Sequence, residues 1–480
     1  MLKQEEMIVG RRNFEKAASV YPVWKDEDYP ASRTQPLEAA IIGTGNQGRV
    51  LLENANPAHI TIKAMCDLRP DHRELGKALI KERYNPDVRV YSDADKMLSD
   101  GGFEAVIIAT PLHTHSALTI KCLSAGKHVL CEKVMAYNVE QCDEMIRTAE
   151  KNNLILAIGH QRHANPLYLQ ARGWVDQGVI GDVYHIRSLW HRNNEWRNQP
   201  DWQSPVLKEA WDPTPINWLR KKMPNLKPDD FEAMKIVERN ALFFELMKER
   251  DPEFDYTKYG YETPDQMANW RLYSKFSHGL MSELGSHQID AANWLWKSTP
   301  EAVCGAGGVF HYKDERDVYD HVFVTFRYPN NRTMMFSSIT TNNFDNYYDQ
   351  IMGTLGTIYL TGESEGMLYK EGETRTTEVT IGKDKKTDKP VLMTGPSNLK
   401  PSGGLPPMDG SERFIAYGYE ITRFAEAIRT GNPELVACNG YDGRKAAIAV
   451  FASNEAIRTN MVQPCNPPEV IAAGPKAQQQ

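Results

Sequence analysis

The sequence has no CxxC pair. Its seven cysteines (Cys66, Cys122, Cys131, Cys142, Cys304, Cys438 and Cys465) are an odd number without zinc-like spacing. That pattern excludes a disulfide framework, predicts no metal site, and reads as reduced, mostly buried thiols of a cytoplasmic protein. Basic residues are not in excess: the net charge of −7 leaves nothing to hold a nucleic-acid backbone, so no nucleic-acid partner is expected. No apolar run approaches the roughly 20 residues that span a bilayer, so no membrane partner is expected either. Internal repeats are missing. The 480 residues, 41% hydrophobic and 25% charged, therefore read as a soluble protein too long for one core and suited to two domains. Near the start, Arg11-Arg12-Asn13-Phe14 looks like a fragment of a twin-arginine export signal. Glu15-Lys16, Pro22 and Trp24-Lys25-Asp26 follow it in place of the apolar stretch such a signal requires, so residues 1–36 read as a structural arm.

What is present is organised around 37–67. An apolar strand over 37–42 runs into Gly43-Thr44-Gly45-Asn46-Gln47-Gly48 and then a helical pattern. Gly43 permits the tight turn, Gly45 lets the backbone approach a pyrophosphate, and Gly48 allows close helix–strand packing. The helix N-terminus, entered at Asn46 and Gln47, supplies free N–H donors for phosphate. A second strand over 60–66 ends in Asp67, 19 residues beyond Gly48, placed to accept hydrogen bonds from the adenosine ribose hydroxyls. A carboxylate there favours NAD over NADP. Arg69 either lies over the adenine as a structural stack or neutralises a 2′-phosphate.

Further strands are predicted over 88–91, 103–109, 127–130 and 154–158, alternating with helical patterns as in a parallel sheet. Polar residues gather where these strands end: Thr110, Pro111 and His115 after the fourth, Glu132 and Lys133 after the fifth, Gln161 after the sixth. The carboxyl ends of a doubly wound sheet form its ligand crevice, so His115, Glu132, Lys133 and Gln161 are candidates for a wall facing the nicotinamide; the plainer alternative is that each caps a neighbouring helix or loop. After a helix over 167–177 and an alternating strand over 183–190 comes His191-Arg192-Asn193-Asn194-Glu195-Trp196-Arg197. Aromatic and hydrogen-bonding side chains interleaved in this way suit a polyhydroxylated ligand, and they equally suit a loop that packs its own tryptophans.

Residues 199–265 read as an insertion that shapes or covers the substrate pocket. It holds one helical stretch behind Asp229-Asp230, with Phe231, Met234, Val237, Ala241 and Phe244 as a core stripe. Asn269-Trp270-Arg271 and Ser282-Glu283-Leu284-Gly285-Ser286-His287-Gln288-Ile289-Asp290 follow; if that second segment is helical, Glu283 and His287 share one face. Strands over 303–310, 321–328, 333–341 and 348–360, with no crossover helices, indicate an antiparallel sheet. Two helices are predicted over 414–428 and 443–458, then a tail over 462–480 without a core-forming pattern.

The glycine fingerprint, Ala109-Thr110-Pro111 with His115, Cys131-Glu132-Lys133, Glu283-x-Gly285-x-His287-x-x-Asp290 and Gly440-Tyr441-Asp442-Gly443-Arg444 resemble the glucose-fructose oxidoreductase, inositol dehydrogenase and MocA family over most of 37–458. The resemblance implies an α/β chain: an N-terminal Rossmann domain (37–160) plus a C-terminal α/β domain (161–461) with a large open, mainly antiparallel sheet, often used to form a homodimer or homotetramer. It implies an NAD-dependent enzyme that oxidises a secondary alcohol of a sugar, glycoside or cyclitol, or runs the reverse, with His191, Arg192, Trp196, Trp270, Arg271 and Asp290 as substrate-binding candidates. By resemblance Lys133 is the catalytic lysine, and Glu283 and His287 the acidic residue and histidine of the second motif. Hydride transfer requires the hydroxyl proton to leave in step. His287 is the expected acceptor, Lys133 the cation beside the developing alkoxide, and Glu283 the group that orients His287 or binds a neighbouring hydroxyl; Lys133 and His287 can exchange roles.

Two positions depart from the family. Val134 stands where proline usually follows the lysine, and a cis bond before a non-proline residue costs about 2.5–4 kcal/mol, so the bond is either trans or held under strain. Glu283 replaces the usual aspartate. Two other functions fit the same residues: an NAD-dependent glycoside hydrolase that oxidises C3 transiently and eliminates the aglycone, with His191 or a tyrosine as the extra base, and a non-catalytic nucleotide sensor, against which Lys133 and His287 argue.

Overall fold

The structure is a computed structural model that describes residues 35–372, 376–383, 390–397 and 414–465. The arginine pair of the N-terminal arm and the last part of the tail lie outside them. No helix among the described residues is long and apolar enough to cross a membrane.

Six parallel strands, β1 (Leu37–Ile42), β2 (Ile60–Cys66), β3 (Arg89–Tyr91), β4 (Ala105–Ile108), β5 (His128–Glu132) and β6 (Leu156–Gly159), form one sheet in the order β3-β2-β1-β4-β5-β6. Their apolar runs are buried on both faces: Ala39 to Ile41 and Ala105 to Ile108 expose 1% or less. Each buried Ile or Val contributes about 1.5–3 kcal/mol. The order reverses between β1 and β4, which opens a crevice at their carboxyl ends. All six expected strands are found, and helix α1 (Asn46–Asn54) starts directly after Gly45.

Ten strands make the second sheet: β7 (Val183–Trp190), β8 (Ala302–Gly308), β9 (His321–Tyr328), β10 (Arg332–Ile339), β11 (Tyr347–Gly353), β12 (Gly356–Thr361), β13 (Glu365–Lys370), β14 (Thr376–Lys383), β15 (Pro390–Ser397) and β16 (Gln463–Pro464). It is antiparallel except where β10 runs parallel to β7. The expected strand over 348–360 is instead the β11–β12 hairpin, because the chain turns at Thr354 and Leu355. Residues 463–464, expected to belong to a coreless tail, pair with β8, and Cys465 beside them is 1% exposed.

Helix α2 (Pro70–Arg83) follows β2. The single helix expected behind Asp229-Asp230 is two, Pro228–Ala233 and α3 (Ile236–Arg250), because Met234 is extended and breaks the stripe; the insertion also holds the helices Pro205–Ala210 and Pro215–Lys222. Its own core, around Trp202, Trp218, Phe243 and Phe244, packs against Leu68. Arg73 of α2 pairs with Asp251, and the Arg69 guanidinium lies 5.6 Å from the Phe244 ring. The insertion therefore braces the end of β2, where adenosine is expected. Helix α4 (Ser286–Trp296) continues from a π-helical turn, Met281–Gly285. Helix α5 (Ile415–Thr430) buries Ile421 and Phe424 in the core beneath β1 and β2, and α6 (Gly440–Thr459) seats Gly443 against Ile158 of β6.

Candidate active site

The fingerprint loop fits a dinucleotide. Gly43 has φ +91°, and a Cβ there would lie 2.5 Å from the Ala109 carbonyl oxygen; one on Gly48 would lie 2.0 Å from the Gly43 oxygen. Gly45 is different: its missing Cβ would meet nothing closer than His72 at 3.4 Å, which leaves the space a pyrophosphate needs at the start of α1. Asn46 accepts from Arg49 at 2.9 Å, and Gln47 donates to Glu132 at 2.8 Å. The Asp67 carboxylate accepts from the Thr44 N–H at 2.7 Å and the Arg69 N–H at 2.9 Å. Burial pushes its pKa up, but the His72 ring and these donors outweigh that and hold it below the ordinary value. Arg69 is committed to Asp71 through two bonds of 3.0 and 2.7 Å. It is thus held between Asp71 and the Phe244 ring of the insertion.

Strand β5 delivers Glu132 and Lys133 to the crevice, and the Lys133–Val134 peptide is cis. Val134 O and Thr110 O both lie 2.9 Å from ring nitrogens of His115. The polar atoms of His115 thus brace the Lys133 loop against the end of β4. Thr110 accepts a hydroxyl bond from Thr114 at 2.7 Å, and Pro111 opens the short helix Leu112–Thr114. Gln161 is 2% exposed and donates to Glu363 at 3.4 Å.

Lys133 reaches across to the second domain. Its Nζ donates to the carbonyls of Glu283 at 2.9 Å and Ser282 at 3.3 Å, both in the π-helical turn; such turns recur at functional sites. Burial holds the amine below its ordinary pKa, against the opposing pull of Glu283 and Glu132. The Glu283 carboxylate accepts from Arg271 at 2.8 Å; burial raises its pKa, and the Arg271 and Lys133 charges bring it below the ordinary value. Glu283 thus does not orient His287, whose Nδ1 is buried without a hydrogen-bond partner. Burial, reinforced by the Lys133 and Arg162 charges, holds the His287 imidazole well below its ordinary pKa and therefore neutral. Asp290, the last substrate-binding candidate of this motif, is 2% exposed and lies 2.8 Å from His163.

The remaining candidates divide. Trp190 lies 5.5 Å from the His287 ring, the Arg192 guanidinium sits 4.9 Å from Trp190 and 5.9 Å from Trp196, and Arg271 stacks on Trp270 at 4.3 Å. The Arg192 charge bears on both Lys133 and Glu283, so these residues converge on one site. His191 does not join them: its ring nitrogens lie 3.2 Å from the Phe344 carbonyl and 3.2 Å from the Ser337 hydroxyl. Sequence reasoning missed Arg162, which is buried and forks to Asp349 and Glu363 at 2.9 Å each. Its place beside Gln161 at the end of β6 was a signal; its partners, far along the chain, were not.

The chain matches the model of the oxidoreductase family with NAD-binding Rossmann fold over residues 37–160 and that of the GFO/IDH/MocA C-terminal domain over 253–359. An uncharacterized oxidoreductase of Streptococcus pneumoniae is 32% identical over 329 residues, 68% of each chain. A 2,7-anhydro-N-acetylneuraminate hydratase of Mediterraneibacter gnavus is 26% identical over 325 residues, 66% of each. Against other curated relatives the chain spans about half of the relative's length, 46%. Among solved structures, a levoglucosan dehydrogenase in complex with NADH and levoglucosan superposes with a TM-score of 0.60 at 18% identity, covering 90% of this chain and 100% of that one, a likeness of fold. The chain belongs to the GFO/IDH/MocA oxidoreductase family, with an NAD-binding Rossmann domain at its N-terminus.

Proposed function

We propose that the protein is an NAD-dependent oxidoreductase acting on a secondary alcohol of a sugar, glycoside or cyclitol, with a glycoside C3 hydroxyl as one such position. The observation that carries this reading is the meeting of Lys133, from the end of β5, with the turn that leads into His287. When bound, NAD supplies the hydride acceptor. Neutral His287 takes the hydroxyl proton, and the Lys133 ammonium, with two of its donors spent on carbonyls, offers the third to the substrate oxygen as charge develops on it. Trp196 and Trp270 give aromatic surface for the C–H side of a sugar, and Arg192 and Arg271 give donors for its hydroxyls. The relative named as a hydratase supports a second reading, in which C3 is oxidised only transiently and water is added after elimination.

The open sheet face exposes Tyr184 at 52%, Phe323 at 50% and Met335 at 47%. A second copy covering it as a homodimer or homotetramer accounts for that apolar surface.

The test is to incubate the protein with NAD and a panel of monosaccharides, glycosides and inositols, following NADH absorbance and product mass together. A product two mass units lighter with stoichiometric NADH supports the dehydrogenase. Free sugar and aglycone without net NADH supports the hydrolase, and no turnover on any member removes the substrate class.

A further inference from the structure

We propose that His163, Asp290 and Cys438 form a buried site for one zinc ion behind the helix that carries His287, with the His160 ring beside Asp290. The ligand atoms of His163, Asp290 and Cys438 lie within 4.8 Å of one another. All four residues are sealed from solvent, at 4%, 2%, 1% and 1% exposure for His163, Asp290, Cys438 and His160. Donors around one tetrahedral zinc, at bond lengths of about 2.0–2.3 Å, lie roughly 3–4 Å apart.

The hydrogen bonds point to a missing cation. His163 Nδ1 is 3.0 Å from the Ala437 carbonyl, which can only accept, so Nδ1 carries the proton and the Nε2 lone pair faces inward. A metal-ligating histidine typically donates its other N–H to such a carbonyl. Nε2 lies 2.8 Å from Asp290 Oδ2, yet neither atom makes a directed hydrogen bond. Two lone-pair atoms that close repel each other unless they share a positive charge, and an off-line approach is what two ligands of one ion show. His160 repeats the pattern: neither ring nitrogen has a hydrogen-bond partner, and Nδ1 is 3.5 Å from the same Asp290 oxygen. An imidazole, a carboxylate and a thiolate suit zinc; binding would displace the Cys438 S–H proton, which now points at the Asn439 carbonyl 3.7 Å away.

The site would be structural, with no position open to substrate. It joins three segments: the short helix Gln161–Ala164 after β6, helix α4, and the stretch before α6, where Ile158 N–H donates to the Cys438 carbonyl at 2.9 Å. His163 is further clamped by stacking on Trp294 of α4 at 4.7 Å. Zinc there pins the His287 helix to the nucleotide-binding sheet. His160, His163, Asp290 and Cys438 are positioning residues.

The full chain, expressed with zinc and desalted, is expected to hold about one zinc per chain by elemental analysis. Chelation lowers its Tm. Stripped protein given Co(II) develops a near-ultraviolet thiolate-to-cobalt band that Cys438→Ser lacks; if that variant does not fold, the band in the wild-type chain decides. Wild-type protein that takes up no zinc, shows no cobalt–thiolate band and keeps its Tm with zinc or chelator overturns the proposal, and a proton shared by His163 and Asp290 then holds the cluster. A folded Cys438→Ser variant that keeps its zinc overturns it as well.

Discussion

Lys133 Nζ donates to the Glu283 carbonyl at 2.9 Å, so a side chain of the nucleotide-binding sheet is fastened to main chain of the turn entering His287. The two domains thereby build one site, and the Glu283 carboxylate stays free for Arg271. The length of Glu283 matters less in this arrangement than its main chain does.

The pH profile separates the two possible proton acceptors. His287 is held neutral because burial and nearby cations depress its pKa, so its acceptor form is present at all pH values above that low pKa. Lys133 is depressed below its ordinary value of 10.5, so its charge is lost as pH rises through the lowered value. Alcohol oxidation should therefore stay level through the usual histidine range near pH 6.5 and fall on the alkaline side before pH 10.5. A rate that climbs with pH through that alkaline step would assign the base to Lys133. His287→Asn should lower kcat by about 10²–10⁴-fold with NAD affinity retained.

In the proposed reading Asp67 selects the cofactor, with Arg69 held by Asp71. Wild-type protein should prefer NAD, since a 2′-phosphate would meet the Asp67 carboxylate. Asp67→Ser should erode that preference by about tenfold or more, a difference of about 1.4 kcal/mol. Comparing kcat/KM for NAD and NADP checks this; an unchanged ratio removes Asp67 from the adenosine site.

Phe244 ties the insertion to the end of β2. It is 4% exposed and covers the Arg69 guanidinium. Phe244→Ala should cost about 3–5 kcal/mol of stability and weaken NAD binding, because Arg69 and the neighbouring Asp67 loop lose their brace. Thermal melts with and without NAD measure both effects. A variant that melts lower but binds NAD unchanged confines the insertion to a structural role.

The first sheet was legible because each of its strands is a short apolar run buried on both faces and followed by a helix, the pattern of β1, β4 and β5. Gly43, Gly45 and Gly48 were legible for the same local reason: turn, approach and packing fall within one hexapeptide. What local pattern could not show is partner choice. Glu283 and His287 are correctly spaced on neighbouring turns, yet Arg271 captures the carboxylate through space. Asp290 reads as a polar motif residue, and only the fold turns it towards His163. Likewise the 348–360 run is apolar enough for one long strand, and tertiary pairing with β7 and β12 makes it a hairpin.

The central claim is that Lys133 serves the chemistry and not the nucleotide. Lys133→Met is the most direct test, with NAD binding measured by calorimetry and turnover measured on a substrate from the carbohydrate panel. The account predicts turnover lower by at least about 10²-fold and an NAD Kd within about threefold of wild type, a change under about 0.7 kcal/mol. Lost NAD binding with retained chemistry would contradict it.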